Sequence, residues 1–127
     1  MILIFGALLG FVSVAFGAYA EHGLKQHVTD EHFRFLMTAI RYNQVNAVII
    51  SAIGLVFLSN HSSFANKALS LSGFLFIIGT VLFSFSIYTS VAFEIPALVK
   101  ITPIGGMTIM SAWLLLMIAG IRGRKKA

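Results

Sequence analysis

The amino-acid sequence predicts an all-α integral membrane protein: four transmembrane helices in an antiparallel bundle, with a short interfacial helix between the first and second spans. Three observations carry that expectation. The 127 residues are 58% hydrophobic and only 10% charged, with a mean hydropathy of +0.94, and a soluble domain this small cannot cover its surface with so few charges. The apolar residues gather into four runs of about 20 residues, the length an α-helix needs to cross hydrocarbon. The basic residues concentrate on one side of the predicted bundle, as in multi-pass proteins with a cytoplasmic face.

The first run, residues 2–20, ends in "AYA" before Glu21, which resembles a small-residue cleavage site. The run is longer than a signal-peptide core and lacks a basic leader, so it reads as a retained helix. Gly6, Gly10, Ser13 and Gly17 fall on one helical face. Such a stripe lets another helix approach closely in lipid, either within the chain or in a homo-oligomer. The joint 21–37 carries the interfacial helix. Thr29 is its expected N-cap, Asp30 and Glu31 suit the positive end of the helix dipole, and Asp30 pairs with Arg34 one turn on. Val28, Phe33, Leu36 and Met37 supply its lipid-facing side.

The second span is expected at 39–58. An unbroken helix over 30–58 would be about 43 Å long and would have to protrude, bend or tilt. The third span, 68–91, carries Ser70, Gly73, Thr80 and Ser84 as a second stripe of small residues. The joint 59–67 precedes it and the joint 92–102 follows it; neither is long enough for a soluble domain. The fourth span, 103–121, opens with Thr102 as N-cap and Pro103 at the first helical position, and Gly105 and Gly106 permit close packing. A basic tail, "RGRKKA", occupies 122–127.

The second span poses a question at its start, "TAIRYNQVNA". Counted back from Leu58, Arg41 lies about 3 Å inside the boundary and can snorkel, whereas Asn46 lies about 10 Å deep and cannot. Tyr19, Tyr42 and Tyr88 close or open spans at the same level and suit an aromatic belt. Glu21, His22, Gln44, Ser84, Ser86 and Thr102 join them there. Polar groups of four helices thus converge on one layer. They serve as interhelical hydrogen bonds worth roughly 0.6–2 kcal/mol each, as a ligand or ion site, or as interfacial anchors. A Glu21–Arg41 ion pair is expected at the boundary.

Charge sets the orientation. Lys67, Arg122, Arg124, Lys125 and Lys126 face one side with no acid, for a net +5. Lys25, Arg34, Arg41 and Lys100 on the other side are balanced by Glu21, Asp30, Glu31 and Glu94. Both termini are therefore expected in the cytoplasm. The same distribution argues against nucleic acid as a partner. With no cysteine there is neither a disulfide nor a thiolate metal site. His22, His27 and His32 are spaced by five, which fits no metal motif. No cofactor and no catalytic residue is implied.

"GAYAEHGLK", "TAIRYNQVNA", "LFSFSIY" and "TPIGGMTIMSAW", in that order, resemble the motifs of the bacterial domain of unknown function 423 family, which is similar to the small eukaryotic transmembrane protein 256. The likeness covers nearly the whole chain. It implies a small four-helix protein of the bacterial inner membrane and brings no established activity. The matching positions are Gly17, His22, Gly23, Leu24 and Lys25 in the first motif and Tyr42 and Gln44 in the second. Ser84, Ser86 and Tyr88 match the third; Thr102, Pro103, Gly105, Gly106 and Trp113 match the fourth. The chain departs from the family at Glu21, where a small residue is usual, at Asn46, where histidine is usual, and at Phe85 and Ala112, where glycine is usual.

The function expected is that of a non-enzymatic, structural or accessory membrane protein. It would act through the lipid bilayer, a membrane-protein partner or a second copy of itself. The alternative is a small-solute or ion transporter or channel with its site in the polar layer. Small multidrug exporters share the four-helix format but need a membrane-embedded carboxylate, and here no Asp or Glu lies within a span. The orientation is tested by cysteine labelling. A cysteine at Gln26 should react with an impermeant thiol reagent added outside cells, and cysteines at Ser62 or Ala127 should not. External labelling of Ala127 would reverse the topology.

Overall fold

The structure, a computed structural model, describes residues 1–59 and 65–126. Among the described residues the regular structure is entirely helical. The first span is helix α1 (Ile2–Tyr19), which closes in a π turn, Ala20–Leu24. The second is a single helix, α2 (Asp30–Leu58). The third consists of α3 (Lys67–Thr80), a π turn at Val81–Phe85 and α4 (Ser86–Ala92). A 3-10 turn, Pro96–Ile101, then leads into α5 (Thr102–Lys126). All four expected spans are present, each extended by a few residues beyond its apolar run. Most of the expected 59–67 joint, with Ser62, and the terminal Ala127 lie outside the described residues.

The interfacial segment forms the first turns of α2 and runs into the second span without a break, the unbroken helix over 30–58 that the sequence allowed. Its start is as predicted, since the Thr29 hydroxyl accepts from the His32 N–H at 3.1 Å. Its apolar residues do not lie on lipid. Leu36 is fully buried and packs with Ala20, Leu24, Ile87 and Tyr88, with Val28, Phe33 and Met37 half-buried against them. Hydrocarbon contact is available anywhere on the bundle surface, but only this side of α2 meets the π turn of the first span. Arg34 lies over the Phe35 ring at 5.9 Å instead of pairing with Asp30.

The helices run antiparallel, so both chain ends lie at one end of the bundle and the 25–29 and 93–101 connections at the other, here called the distal end. Packing is pairwise: α1 lies mainly on α2, and α3 mainly on α5. Small residues make both approaches possible. A Cβ added at Gly6 would meet the Ser51 Oγ at 2.5 Å, and one at Gly54 would meet the Leu3 backbone nitrogen at 2.5 Å. On the other pair, a Cβ at Gly105 would sit 2.8 Å from the Leu82 carbonyl carbon. Gly73 receives methyl groups of Ile2 and Ile53 and so holds α3 against both helices of the first pair. Ser13 is buried, with its hydroxyl bonded to the Gly10 carbonyl at 2.6 Å.

Three expected packing glycines are not tight. A Cβ at Gly10 or at Gly17 has its nearest neighbour 3.7 Å away, and one at Gly106 has it 3.8 Å away. These are ordinary contact distances: α1 and α2 approach closest near Gly6 and Gly54, and Gly106, one residue on from the tight Gly105, meets only the edge of the Phe83 ring.

The third span ends in a Schellman motif. The Ile95 N–H donates to the Ser90 carbonyl and the Phe93 N–H to that of Thr89, both at 3.0 Å. Glu94 occupies the left-handed position between them, φ 56°, where glycine is usual and another L-residue costs about 1–2 kcal/mol.

Two stability outcomes follow for the protein in detergent. Gly54→Ala should lower the melting temperature clearly while Gly10→Ala leaves it unchanged or raises it; equal effects would contradict the crossing described. Glu94→Gly should stabilise the fold by about 1 kcal/mol by relieving the left-handed residue.

Candidate functional site

The polar layer lies where α2, the third span and the start of α5 meet. Its position on α2 follows from helical phase. Leu36, Ala39, Ile40, Asn43, Asn46, Ala47 and Ile50 are all buried, a run of three- and four-residue steps that defines the inward face. Arg41, Tyr42 and Gln44 lie between these positions and are exposed.

Two amides point inward. The Asn46 Nδ2 donates to the Thr80 Oγ1 at 2.9 Å, and that hydroxyl donates to the Phe76 carbonyl at 2.6 Å. The Asn43 Nδ2 donates to the Tyr88 hydroxyl at 3.0 Å. Tyr88 also stacks on Phe16 with ring centroids 4.0 Å apart, which ties α1 to the same cluster. One helical turn away, the Ser84 hydroxyl donates to the Ala39 carbonyl at 2.8 Å. Ser86 faces the other way: its hydroxyl lies 2.6 Å from that of Thr102, joining the third span to α5. Residues two apart on a helix lie about 200° from one another, so Ser86 leaves the face that Ser84 turns to α2. Thr102 was expected to cap α5, but its backbone is already helical and its hydroxyl serves Ser86.

The carbonyl oxygens of Asn43 and Asn46 are buried and without a hydrogen-bond partner. They stand three residues apart on the same face of α2. All the side chains in this cluster are uncharged.

The remaining predicted residues are not part of it. Tyr19 is half exposed and meets Phe16 edge-on, and His22 is exposed. Tyr42 packs its edge against Phe83 at the surface. Gln44 lines an open groove between α1 and α2 with Gly10, Ala47 and Ser51. The expected Glu21–Arg41 ion pair is absent: Glu21 instead pairs with Lys25 at 3.7 Å, one helical turn along its own chain segment. The register of α1 on α2, with Gly6 against Ser51 and Gly17 against Ile40, sets Glu21 opposite Leu36, more than one helical turn from Arg41. Asn43 and Thr80 were not among the expected site residues. The step pattern of α2 could have identified Asn43, because it lies three residues from both Ile40 and Asn46.

The family described as "Protein of unknown function (DUF423)" matches residues 16–106, which include this whole layer. The chain belongs to the DUF423 family. Its DUF423 match takes in the three polar motifs and the start of the fourth. A UPF0382 membrane protein of Staphylococcus haemolyticus is 31% identical over 119 residues, covering 94% of this chain and 93% of the relative. One from Haemophilus influenzae is 36% identical over 109 residues, covering 85% and 83%. The UPF0382 inner membrane protein YgdD of Escherichia coli strain K12 is 27% identical over 124 residues, covering 98% and 92%. No solved structure matches the chain. The DUF423 chain is therefore a membrane protein with four membrane-crossing helices.

Double-mutant cycles separate the pairs that exist from the one that does not. Asn46→Ala with Thr80→Ala should show a coupling of about 0.6–2 kcal/mol, and Glu21→Gln with Arg41→Gln should be additive within about 0.3–0.5 kcal/mol. Tyr88→Phe should destabilise more than Tyr42→Phe, because it strips a buried amide of its partner at a cost of about 1–3 kcal/mol. The reverse order would remove Tyr88 from the cluster.

Proposed function

We propose that this DUF423 chain is a non-catalytic accessory protein of the bacterial inner membrane, with both termini cytoplasmic, acting through surface contacts with lipid or a membrane-protein partner. One observation carries the proposal: the polar side chains inside the bundle bond to groups of the same chain and bear no charge. Ion and proton carriers place ionisable groups along their path. In this chain all four carboxylates, Glu21, Asp30, Glu31 and Glu94, are exposed at the distal end. The inner-membrane name of the Escherichia coli relative supports the compartment, and the basic tail supports the orientation.

The bundle has surface to offer. On α1, Ile4, Leu8 and Phe11 are exposed, and on α5 so are Met107, Met110, Trp113 and Leu114. Proteoliposomes holding the purified protein should show the same proton, sodium and potassium leak as protein-free vesicles. A photoreactive amino acid at Met110 should capture a discrete protein or lipid adduct in cells. A flux that Asn46→Leu abolishes would overturn the proposal and favour a transporter.

A further inference from the structure

At the distal end, away from the buried polar layer, lies a cavity of about 550 Å³ between the start of α2, α4 and the 3-10 turn. Its volume falls in the range of small-molecule sites, about 300–1,000 Å³. Its walls are mostly apolar, Phe35, Ile87, Val91 and Val99 among them, and the lining also includes His27, Thr29, His32, Glu94 and Thr102. Ser90 belongs to it as well. That residue is only 7% exposed. Its neighbours Ser86 and Thr89 turn their hydroxyls back to the helix carbonyls. The Ser90 hydroxyl has no hydrogen-bond partner among the described residues, and the residue lines the cavity. A buried hydroxyl left without a bond by the protein is a group for an occupant to use.

The rim fixes the occupant's chemistry. Glu94 is the only residue of the lining with a formal charge at neutral pH. It is held there in a backbone conformation that costs an L-residue energy. The His32 and Phe35 rings stack beside the same opening, with the Arg34 guanidinium over the Phe35 ring. Next to the cavity, Phe93, Ile95 and Val99 are exposed, so the segment that carries Glu94 has an apolar surface suited to the boundary between headgroups and acyl chains.

We infer that this cavity binds the head end of an amphiphile bearing a protonated amine. The ammonium group faces Glu94, a hydrogen-bonding oxygen or nitrogen meets Ser90, and the first methylenes lie along Val91 and Val99. The amine has two possible sources, a membrane lipid with an amine headgroup or a free alkylamine. The assignment stands on the cavity alone and does not depend on how the rest of the bundle acts.

The test uses the full-length protein in phosphatidylcholine nanodiscs and three photoreactive twelve-carbon probes, an amine, a carboxylate and an alcohol. Crosslinked peptides are mapped by mass spectrometry. The amine probe should label segments 27–35 and 87–102 at least tenfold more than the carboxylate or the alcohol does. Glu94→Gln should remove that preference while leaving the alcohol's labelling unchanged. Glu94→Gly should raise the melting temperature and still lose the amine preference, which separates stability from binding. Ser90→Leu, which fills the cavity, should abolish labelling by all three probes. Equal labelling by the three probes in the native protein, or an amine preference that survives both Glu94 variants, would overturn the assignment. Repeating the experiment with phosphatidylethanolamine in the nanodiscs identifies the source. Loss of amine labelling there supports a lipid occupant, and retained labelling supports a free amine.

Discussion

Inside hydrocarbon a polar side chain can bond only to other groups of the protein, and the amide nitrogens of Asn43 and Asn46 and the hydroxyls of Ser72, Thr80 and Ser84 are placed accordingly. The first helix pair and the second are each held by close backbone approach. Between the pairs, the contacts are different in kind. Asn46 reaches Thr80, Asn43 reaches Tyr88, and Ser84 reaches the Ala39 carbonyl. Close packing makes the pairs, joined in the second by hydrogen bonds from Ser72 to the Ala112 carbonyl and between Ser86 and Thr102, and a short polar seam registers one pair on the other. Shape alone would allow α3 to slide along α2, whereas three directional bonds at successive turns do not.

The seam also explains why the third span is not one uniform α-helix. Thr80 and Ser84 face α2, while Ser86 must face α5 to meet Thr102. In an unbroken α-helix Thr80, Ser84 and Tyr88 would drift about 40° around the axis at each four-residue step, and the wider π turn at Val81–Phe85 offsets that drift so that all three meet α2. The tight approach of Gly105 to the backbone of Leu82 and Phe83 lies at the same level. The turn that rephases the helix is thus the turn against which α5 packs most closely.

How far the sequence could be read depended on direction. Position along the membrane normal was legible, because apolar run length and charge set it. All four spans were found, and the polar residues were assigned to a common level. Position around each helix was less legible. Asn46 was placed inside for its depth, yet Asn43, at a shallower level and on the same face, was passed over in favour of Gln44, which is exposed. Glu21 and Arg41 were joined because each stands at the boundary of its apolar run, yet the register of α1 on α2 sets them more than a helical turn apart. The π turns left no trace in the apolar pattern, since an inserted residue in a continuously hydrophobic run changes no periodicity that lipid would reveal. Gly54 was missed as a packing position because it sits opposite the start of the chain, a pairing that only the crossing geometry of α1 and α2 creates.

Helix α2 is about 43 Å long, against a hydrocarbon thickness of about 30 Å. Its surplus lies at the distal end, in the turns that carry Thr29, His32 and Phe35. A thicker bilayer, or a greater tilt, brings those turns among the acyl chains; a thinner bilayer leaves them among the headgroups. The same side chains then meet a different solvent in each case, while the seam at Asn43 and Asn46 stays within hydrocarbon throughout. A bundle anchored at one depth and overlong at one end behaves as a gauge, so the polarity around its distal end varies with membrane thickness.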